Sequence, residues 1–360
     1  MAPLGGLNTS SAGGLSRRRL LALLAAAGAG TLLDACRAPM QQAASPRIID
    51  VHHHIYPPHY TKVNYQRLVD DAPQIPGSRY RDWTPQVSLD LMDQNGVATA
   101  VGSITSPGIW FGNNQQGRFW ARECNEFGAR IAGDHPGRFG MFAAIPLPDT
   151  EGSLREIAYS LDVLKLDGIG LLSSYKGRLL GDPGFAPVFD ELNRRKAVVF
   201  VHPTMSCCGN LVPGVNAPVL EFVFDTTRTI TSLIYSGTVS RCRDIRFIFP
   251  HGGGTIPMLV TRIERGANGI TPEQRATYLP RGLLHELQQF YYDTAGILNN
   301  PSALAADWTM APSSQFVFGT DFPFGPFAQT RFLSDLDLSP NDLHAIQRGN
   351  AMRLLPRFDS

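Results

Sequence analysis

Eight short apolar runs punctuate the chain, at 48–54, 97–104, 139–146, 168–172, 197–202, 246–251, 290–293 and 316–320. An apolar run of this length between turn signals reads as a strand buried on both faces, the kind found in parallel sheets. Segments with helical spacing separate most of them, at 84–95, 119–135, 153–166, 187–195, 219–236 and 256–265, with a last one at 341–354. In the third, Leu154, Ile157, Leu161 and Leu164 make one apolar stripe, the face a helix lays on a sheet. Eight alternating units in a single chain predict an α/β fold of the (β/α)8 TIM-barrel type rather than a doubly wound sheet. The segments 55–83 and 105–118 then become long aromatic loops after the first two strands, on the face where such barrels carry their active sites.

Four of the runs end in a side chain that binds metals. They are Ile48-Ile49-Asp50-Val51-His52-His53-His54, Val198-Val199-Phe200-Val201-His202, Phe247-Ile248-Phe249-Pro250-His251 and Phe316-Val317-Phe318-Gly319-Thr320-Asp321. Residues two apart on a strand share a face, so Asp50, His52 and His54 are expected to point together, and His53 outward into the helix layer. Two imidazoles on one rigid strand lose little entropy when they bind a common ion. His202 offers a third nitrogen. Asp321 offers a carboxylate ligand or an acid–base group, with helix capping as its ordinary alternative. His251 precedes three glycines, which let backbone and substrate approach closely, and it reads as an acid–base group beside the metal rather than as a ligand. Imidazole and carboxylate together are the ligand types of a catalytic zinc or manganese site.

Composition narrows the function further. Lys plus Arg is 32 and Asp plus Glu is 31, so the basic excess of a nucleic-acid binder is missing. No GxGxxG follows a strand and no P-loop is present, so no organic cofactor is signalled. Five cysteines occur, at 36, 124, 207, 208 and 242, without a CxxC pair, which argues against a structural zinc ribbon. Cys207 and Cys208 read as loop thiols.

The first 46 residues read as a separate leader, followed by the barrel at 47–360. Ser16-Arg17-Arg18-Arg19 precedes a modest Ala/Gly-rich apolar run to Leu33, as in a Tat export signal, and the run is too short for a comfortable membrane span. Leu33-Asp34-Ala35-Cys36 resembles a lipoprotein box with Cys36 as the lipid anchor, although Asp34 fits it poorly; ordinary cleavage near Ala43-Ala44-Ser45 is the alternative. The expected location is therefore periplasmic or membrane-anchored.

Asp50-x-His52-x-His54, His202, His251-Gly252-Gly253-Gly254 and Gly319-Thr320-Asp321-Phe322-Pro323 together resemble the amidohydrolase superfamily. Within it they look like the decarboxylase-rich branch typified by aminocarboxymuconate semialdehyde decarboxylase. The stretches Gly181 to Asn193, Phe224 to Arg228 and His251 to Pro257 are similar to a narrower group, the 6-methylsalicylate decarboxylases. The resemblance covers all but the leader. It implies one divalent metal, zinc with manganese as the alternative, held by His52, His54, His202 and Asp321. It also implies catalysis by His251 and Asp321, and a homodimer. Hydrolytic relatives often end strand four in a metal-bridging lysine. Here that strand ends Gly170-Leu171-Leu172-Ser173, with Lys176 beyond it, which favours a mononuclear site.

The function so implied is non-oxidative decarboxylation of a small aromatic, salicylate-type acid. The metal orients carboxylate and ortho hydroxyl, and Asp321 or His251 protonates the ring carbon. Hydrolysis of a lactone, ester or amide on the same barrel is the alternative, and an exported metal- or ligand-binding lipoprotein is the non-enzymatic one. Trp110, Tyr175, Arg228 and Asp293 are candidate substrate contacts: the aromatics to stack on a ring, Arg228 to hold a carboxylate or else to pair with Asp225, and Asp293 to touch substrate or else to orient His251.

Overall fold

The structure is a computed structural model that describes residues 48–359, except 74, 206–211, 217 and 267–268. The segment expected to be an export leader, with Cys36, and the Cys207-Cys208 pair lie outside the described residues.

Eight parallel strands follow one another in chain order around a single sheet. They are β1 (Ile48–His54), β2 (Val97–Ser103), β3 (Phe139–Ala144), β4 (Gly168–Leu172), β5 (Val198–His202), β6 (Arg246–Phe249), β7 (Tyr291–Asp293) and β8 (Phe316–Val317). Beyond β8 the chain nearly closes the ring on β1. Val51 N–H donates to the Phe318 carbonyl at 2.9 Å, Asp321 N–H to that of His52 at 2.8 Å, and His54 N–H to that of Phe322 at 2.8 Å. The seam of the barrel is thus made by the two segments that carry His52, His54 and Asp321.

Alternation along the strands builds two cores. Ile49, Val51, Val101, Phe142, Val198, Phe200, Ile248 and Val317 pack inside the barrel, with Ala351, Leu354, Leu355 and Phe358 of the C-terminal segment against them. The Phe142 and Phe200 rings stack across the interior at 5.4 Å. Val199, Val201, Phe247 and Phe249 belong to the outer core that the helices cover. Each fully buried aliphatic or aromatic side chain stabilises by roughly 1.5–3 kcal/mol, so these two layers dominate the stability of the barrel.

The helix layer departs from expectation in one place that matters. The segment expected to be a loop at 55–83 contains the helix Pro58–Asp71. Its buried face is Tyr60, Thr61, Asn64 and Leu68, half of it polar, so no apolar stripe betrays it. Elsewhere the ends move by a few residues because caps decide them. Asn113 accepts from Gln116 N–H at 3.0 Å and starts the helix between β2 and β3 at Asn114, five residues before the apolar spacing begins. Strand β6 stops at Phe249 because Pro250 has no N–H to donate, and the expected strand 316–320 pairs with β7 only through Phe316 and Val317. Among the described residues no helix is long and apolar enough to cross a membrane.

Asp307, on the helix Pro301–Met310, is 3 % exposed and its Oδ2 has no hydrogen-bond partner among the described residues. Burial pushes its carboxyl up to about 8. An unfolded aspartate titrates near pH 3.9, so between about pH 4 and 8 the native state holds the extra proton and stability falls as pH rises. Asp307→Asn should raise stability near pH 8, by up to about 5 kcal/mol, and by nothing near pH 4. Urea midpoints at the two pH values check this, and an equal gain at both would refute it.

Candidate active site

The site begins with an irregularity in β1. Its pairing with β2 shifts register between Asp50 and His53. Ile49 and Val51 already face the interior, and the shift lets His52 and His54 face it too, with the His52 ring 5.0 Å from Phe200. Strict alternation would have put Asp50 with them, and this expectation is corrected. Asp50 lies on the opposite side. It accepts from the N–H of His52 at 3.1 Å and of Thr320 at 3.0 Å, and from the Thr320 hydroxyl at 2.6 Å. It thereby clamps β1 to the Asp321 segment. His53 points outward as expected, with Nε2 2.8 Å from the Ser88 hydroxyl.

His52, His54, His202 and Asp321 come together, with one ligand atom from each within 4.8 Å of all the others. The Nδ1 of each imidazole is already engaged. That of His52 is 2.7 Å from Asp293 Oδ2, that of His54 is 3.2 Å from Ser103 Oγ, and that of His202 is 2.7 Å from the Pro203 carbonyl. Such partners fix ring orientation and leave Nε2 as the ligand atom. His52 Nε2 and His54 Nε2 lie 3.2 Å apart and each 3.1 Å from Asp321 Oδ1. Three convergent imidazole nitrogens and one carboxylate oxygen are a donor set suited to a single divalent cation.

The electrostatics of this cluster are those of groups kept out of water. Burial works against the charged ring of His52, but the carboxylates of Asp293 and Asp321 overcome it and push His52 up to about 10. Burial lowers His54 against the opposing pull of Asp321, and lowers His202 well below the usual imidazole range, helped by the neighbouring histidines. Burial alone would raise Asp321. His52, together with hydrogen bonds from His251, His52 and His54, holds it well below the usual carboxylate range.

His251 sits just past β6, outside the group of four, with Nε2 3.4 Å from Asp321 Oδ2. Its φ is 55° and that of Asp321 is 59°, so both candidate proton carriers occupy the left-handed region that side chains other than glycine rarely adopt. Backbone held there clusters at functional sites, where the surroundings over-determine it. At His251 the restraint is Asp293, whose Oδ1 accepts the His251 backbone N–H at 2.9 Å. Gly319 has a steric reason as well: a Cβ there would lie 2.8 Å from His52 Cβ and 3.1 Å from Asp293 Cβ. Only glycine lets those two residues meet.

Of the four candidate substrate contacts, none lies in the cavity. Asp293 is fully buried and hydrogen-bonds the His52 ring and the His251 backbone N–H. Trp110 lies under the Lys176 ammonium, 4.5 Å from it, and its indole N–H donates to Asn114, so it packs against the loop after β4 and the start of the next helix. Tyr175 is core: its hydroxyl accepts the Leu172 N–H at 2.9 Å and its ring meets Phe185. Arg228 stands half exposed on the helix Val223–Tyr235, 3.9 Å from both Glu221 and Asp225, the ion-pair alternative. Lys176, on the Trp110 face, is no bridging ligand.

The cavity beside these residues has a volume of about 420 Å³ and is reached by His202, His251 and Asp321. Its walls include Ile75, Phe222, Ile297 and Phe324, with Asp71, Thr105, Ser106 and Asn300 as further polar groups. No lysine or arginine lines it among the described residues. Sequence reading missed this lining. Asp71 and Ile75 sit at and beyond the end of the unforeseen helix, and Phe222 looks like any other apolar residue of its segment. The alternating apolar and polar spacing that reveals a strand carries no mark of a side chain that merely borders a cavity.

Substituting Asp293 by Asn keeps an oxygen for the His251 and Ala295 N–H groups but turns an amide N–H toward His52 Nδ1. The imidazole proton is then driven to Nε2, the ligand atom. Cation affinity should fall by about 10–100-fold, as read by competition with a chromophoric chelator; unchanged affinity would remove Asp293 from the site.

This is the architecture of a barrel enzyme with a His/Asp site able to hold one cation at the strand ends. Over residues 49–357 the sequence matches the amidohydrolase family, to which the chain belongs. Decarboxylase yanB of Aspergillus niger is 36% identical over 86% of this chain and 88% of its own. The 6-methylsalicylic acid decarboxylase of Penicillium expansum is 34% identical over 86% and 96%. In backbone, the chain is similar to 5-carboxyvanillate decarboxylase of Novosphingobium aromaticivorans, solved with manganese and 4-hydroxy-3-methoxy-5-nitrobenzoic acid. The TM-score is 0.76 at 20% identity, over 86% of this chain and 96% of that one.

Proposed function

We propose that this chain is a carboxy-lyase that removes carbon dioxide, without oxidation, from a small 2-hydroxybenzoate such as a 6-methylsalicylate-like acid. One observation carries the reading. The three Nε2 atoms and Asp321 converge beside His251, at the end of a cavity whose described lining offers an acid's carboxylate no lysine or arginine. The names of the relatives support it. His52, His54, His202 and Asp321 hold the cation, zinc by ligand type or manganese as in the structural neighbour. When bound, that ion supplies Lewis acidity and a charge against which a carboxylate and its ortho hydroxyl are oriented.

The rest falls to the chain. Ile297, Phe222 and Phe324 keep the ring in an apolar slot and limit water. The His251 Nε2 proton, held beside Asp321 Oδ2, passes to the ring carbon that bears the carboxylate. The C–C electron pair returns to the ring as carbon dioxide leaves, and aromaticity is restored. The product is the corresponding phenol. His251 recovers its proton from solvent through the cavity.

The test is carbon dioxide release from a panel of salicylate-type acids by zinc- and manganese-loaded protein. Release that stops on chelation is the expected result. No release, with turnover of aryl lactones or esters, would overturn it in favour of hydrolysis. We further infer a homodimer, tested by light scattering, and export through Arg17-Arg18, followed by lipid anchoring at Cys36 or by cleavage near Ala43-Ala44-Ser45. Lysine at both arginines should retain the protein in the cytoplasm.

A further inference from the structure

Decarboxylation needs only the His202, His251 and Asp321 end of the cavity. Gly296 marks that end, since a Cβ on it would lie 3.9 Å from His251 Cδ2. So does the Phe222 ring, 5.9 Å from that of His202. From there one wall runs outward along two short segments. On the first, Val219 stands one turn before Phe222, in the π-helical turn Pro218–Phe222. It lines the cavity and yet is 62 % exposed, so it marks where the wall meets solvent. On the second, Ile297 is followed by Asn300 and by Ala303 of the helix Pro301–Met310, both also on the cavity. Two polar side chains of this wall already have partners. Asn300 Oδ1 caps that helix by accepting the Ala303 N–H at 3.2 Å, and Thr255 Oγ1 pairs with Thr227 Oγ1 at 2.8 Å. What remains between Phe222 and the rim is mainly apolar surface.

The size of the cavity matters here. A volume of about 420 Å³ lies within the range, roughly 300–1000 Å³, of pockets that bury drug-sized ligands. The acid 2-hydroxy-6-methylbenzoate, one ring with three small substituents, leaves much of that space to water. Replacing water on an apolar wall by an alkyl group is favourable. We infer that this wall binds a linear alkyl chain carried by the substrate ring, so that the substrates are alkylated 2-hydroxybenzoates, the methyl acid being accepted and longer chains preferred. The inference rests on the decarboxylase reading for the placement of the ring.

Charge restricts the chain to hydrocarbon. Apart from His202, His251 and Asp321, the one titratable group on the described lining is Asp71, and no lysine or arginine lies there. A chain ending in a carboxylate would therefore lose hydration and gain no counter-charge. The chain lies away from the carbon that is protonated, so its contacts are equal in ground and transition states. Binding of that kind lowers KM and leaves kcat unchanged.

The experiment measures carbon dioxide release by zinc- or manganese-loaded wild type, Val219→Asp and Ala303→Trp. The acids are 2-hydroxybenzoates that carry methyl, propyl, pentyl or heptyl at each remaining ring position in turn. Affinities for the corresponding alkylphenols, which need no turnover, are measured alongside by calorimetry. At one ring position at least, KM should fall by about two- to fourfold per methylene from methyl to pentyl, at nearly constant kcat, and phenol affinity should rise in parallel. A terminal carboxylate on the pentyl chain should cancel the gain. Each variant should lower the pentyl-to-methyl ratio, taken within that variant, by about tenfold or more. If Ala303→Trp does not fold, Val219→Asp, at an exposed position, decides alone. A flat or falling series at every ring position, or an equal rise in the variants, overturns the inference and leaves the decarboxylase reading intact. Phenol affinities that rise with chain length in wild type and not in the variants, without carbon dioxide from any acid, would overturn the decarboxylase reading and leave the alkyl-binding wall.

Discussion

His251→Asn should lower kcat by about two to four orders of magnitude while bound metal and Tm stay at their wild-type values. The side chain stands outside the four-residue cluster, with only its Nε2 beside Asp321 Oδ2 at 3.4 Å. Losing it removes a proton carrier and no ligand. Asparagine is the right replacement because it tolerates the left-handed backbone, φ 55°, that His251 occupies. Alanine would add backbone strain to the chemical loss and confuse the two. The measurement is kcat together with metal per chain and a melting curve. Full activity would move the proton transfer to Asp321. Loss of metal would make His251 a ligand.

Asp321→Asn should have the larger effect. The carboxylate is the only anionic donor among the four and is shared by the His52, His54 and His251 side chains. Replacing it leaves three neutral donors and turns an amide N–H toward imidazoles that need an acceptor or a cation. Purified protein should carry little or no metal, and activity should fall by about a thousandfold or more, since both ligand and proton partner are lost. The metal-free protein should also be less stable by about 3 kcal/mol, because His52 then keeps only Asp293 as a partner for a buried charge. Asparagine again tolerates φ 59°. Metal analysis and urea unfolding of the metal-free form check both parts; a variant that retains one metal per chain would exclude Asp321 as a ligand.

The strands and the four cluster residues were legible because they obey local rules. An apolar run ending in His or Asp is a pattern of neighbours, and barrel topology turns strand ends into one rim. The His-x-His spacing put His52 and His54 together for the right reason, yet the same rule misplaced Asp50. A register shift between Asp50 and His53 reverses the alternation, and nothing in the residues themselves announces it. Trp110, Tyr175 and Arg228 failed as substrate contacts because proximity to a strand end does not say where a side chain points. Each found a partner outside the cavity: Lys176, Leu172, and the pair Glu221 and Asp225. Asp71 was invisible for the opposite reason. It lies at the end of a helix whose buried face, with Thr61 and Asn64, is half polar, so no periodicity marks the helix and nothing marks its last residue.

By itself, then, the order of apolar runs and the residues at their ends determined the barrel class, the ligand types and the place of the site. These depend on which residues are near one another along the chain and on a symmetry that brings successive strand ends together. The tertiary structure alone decided which nitrogen of each histidine is free, that Asp293 holds His52, and that Asp50 ties β1 to the Asp321 segment. It also decided which side chains border the cavity. Those are contacts between residues as far apart as 50 and 320, set by how the ring of strands closes and by which hydrogen bonds remain to be made once it has.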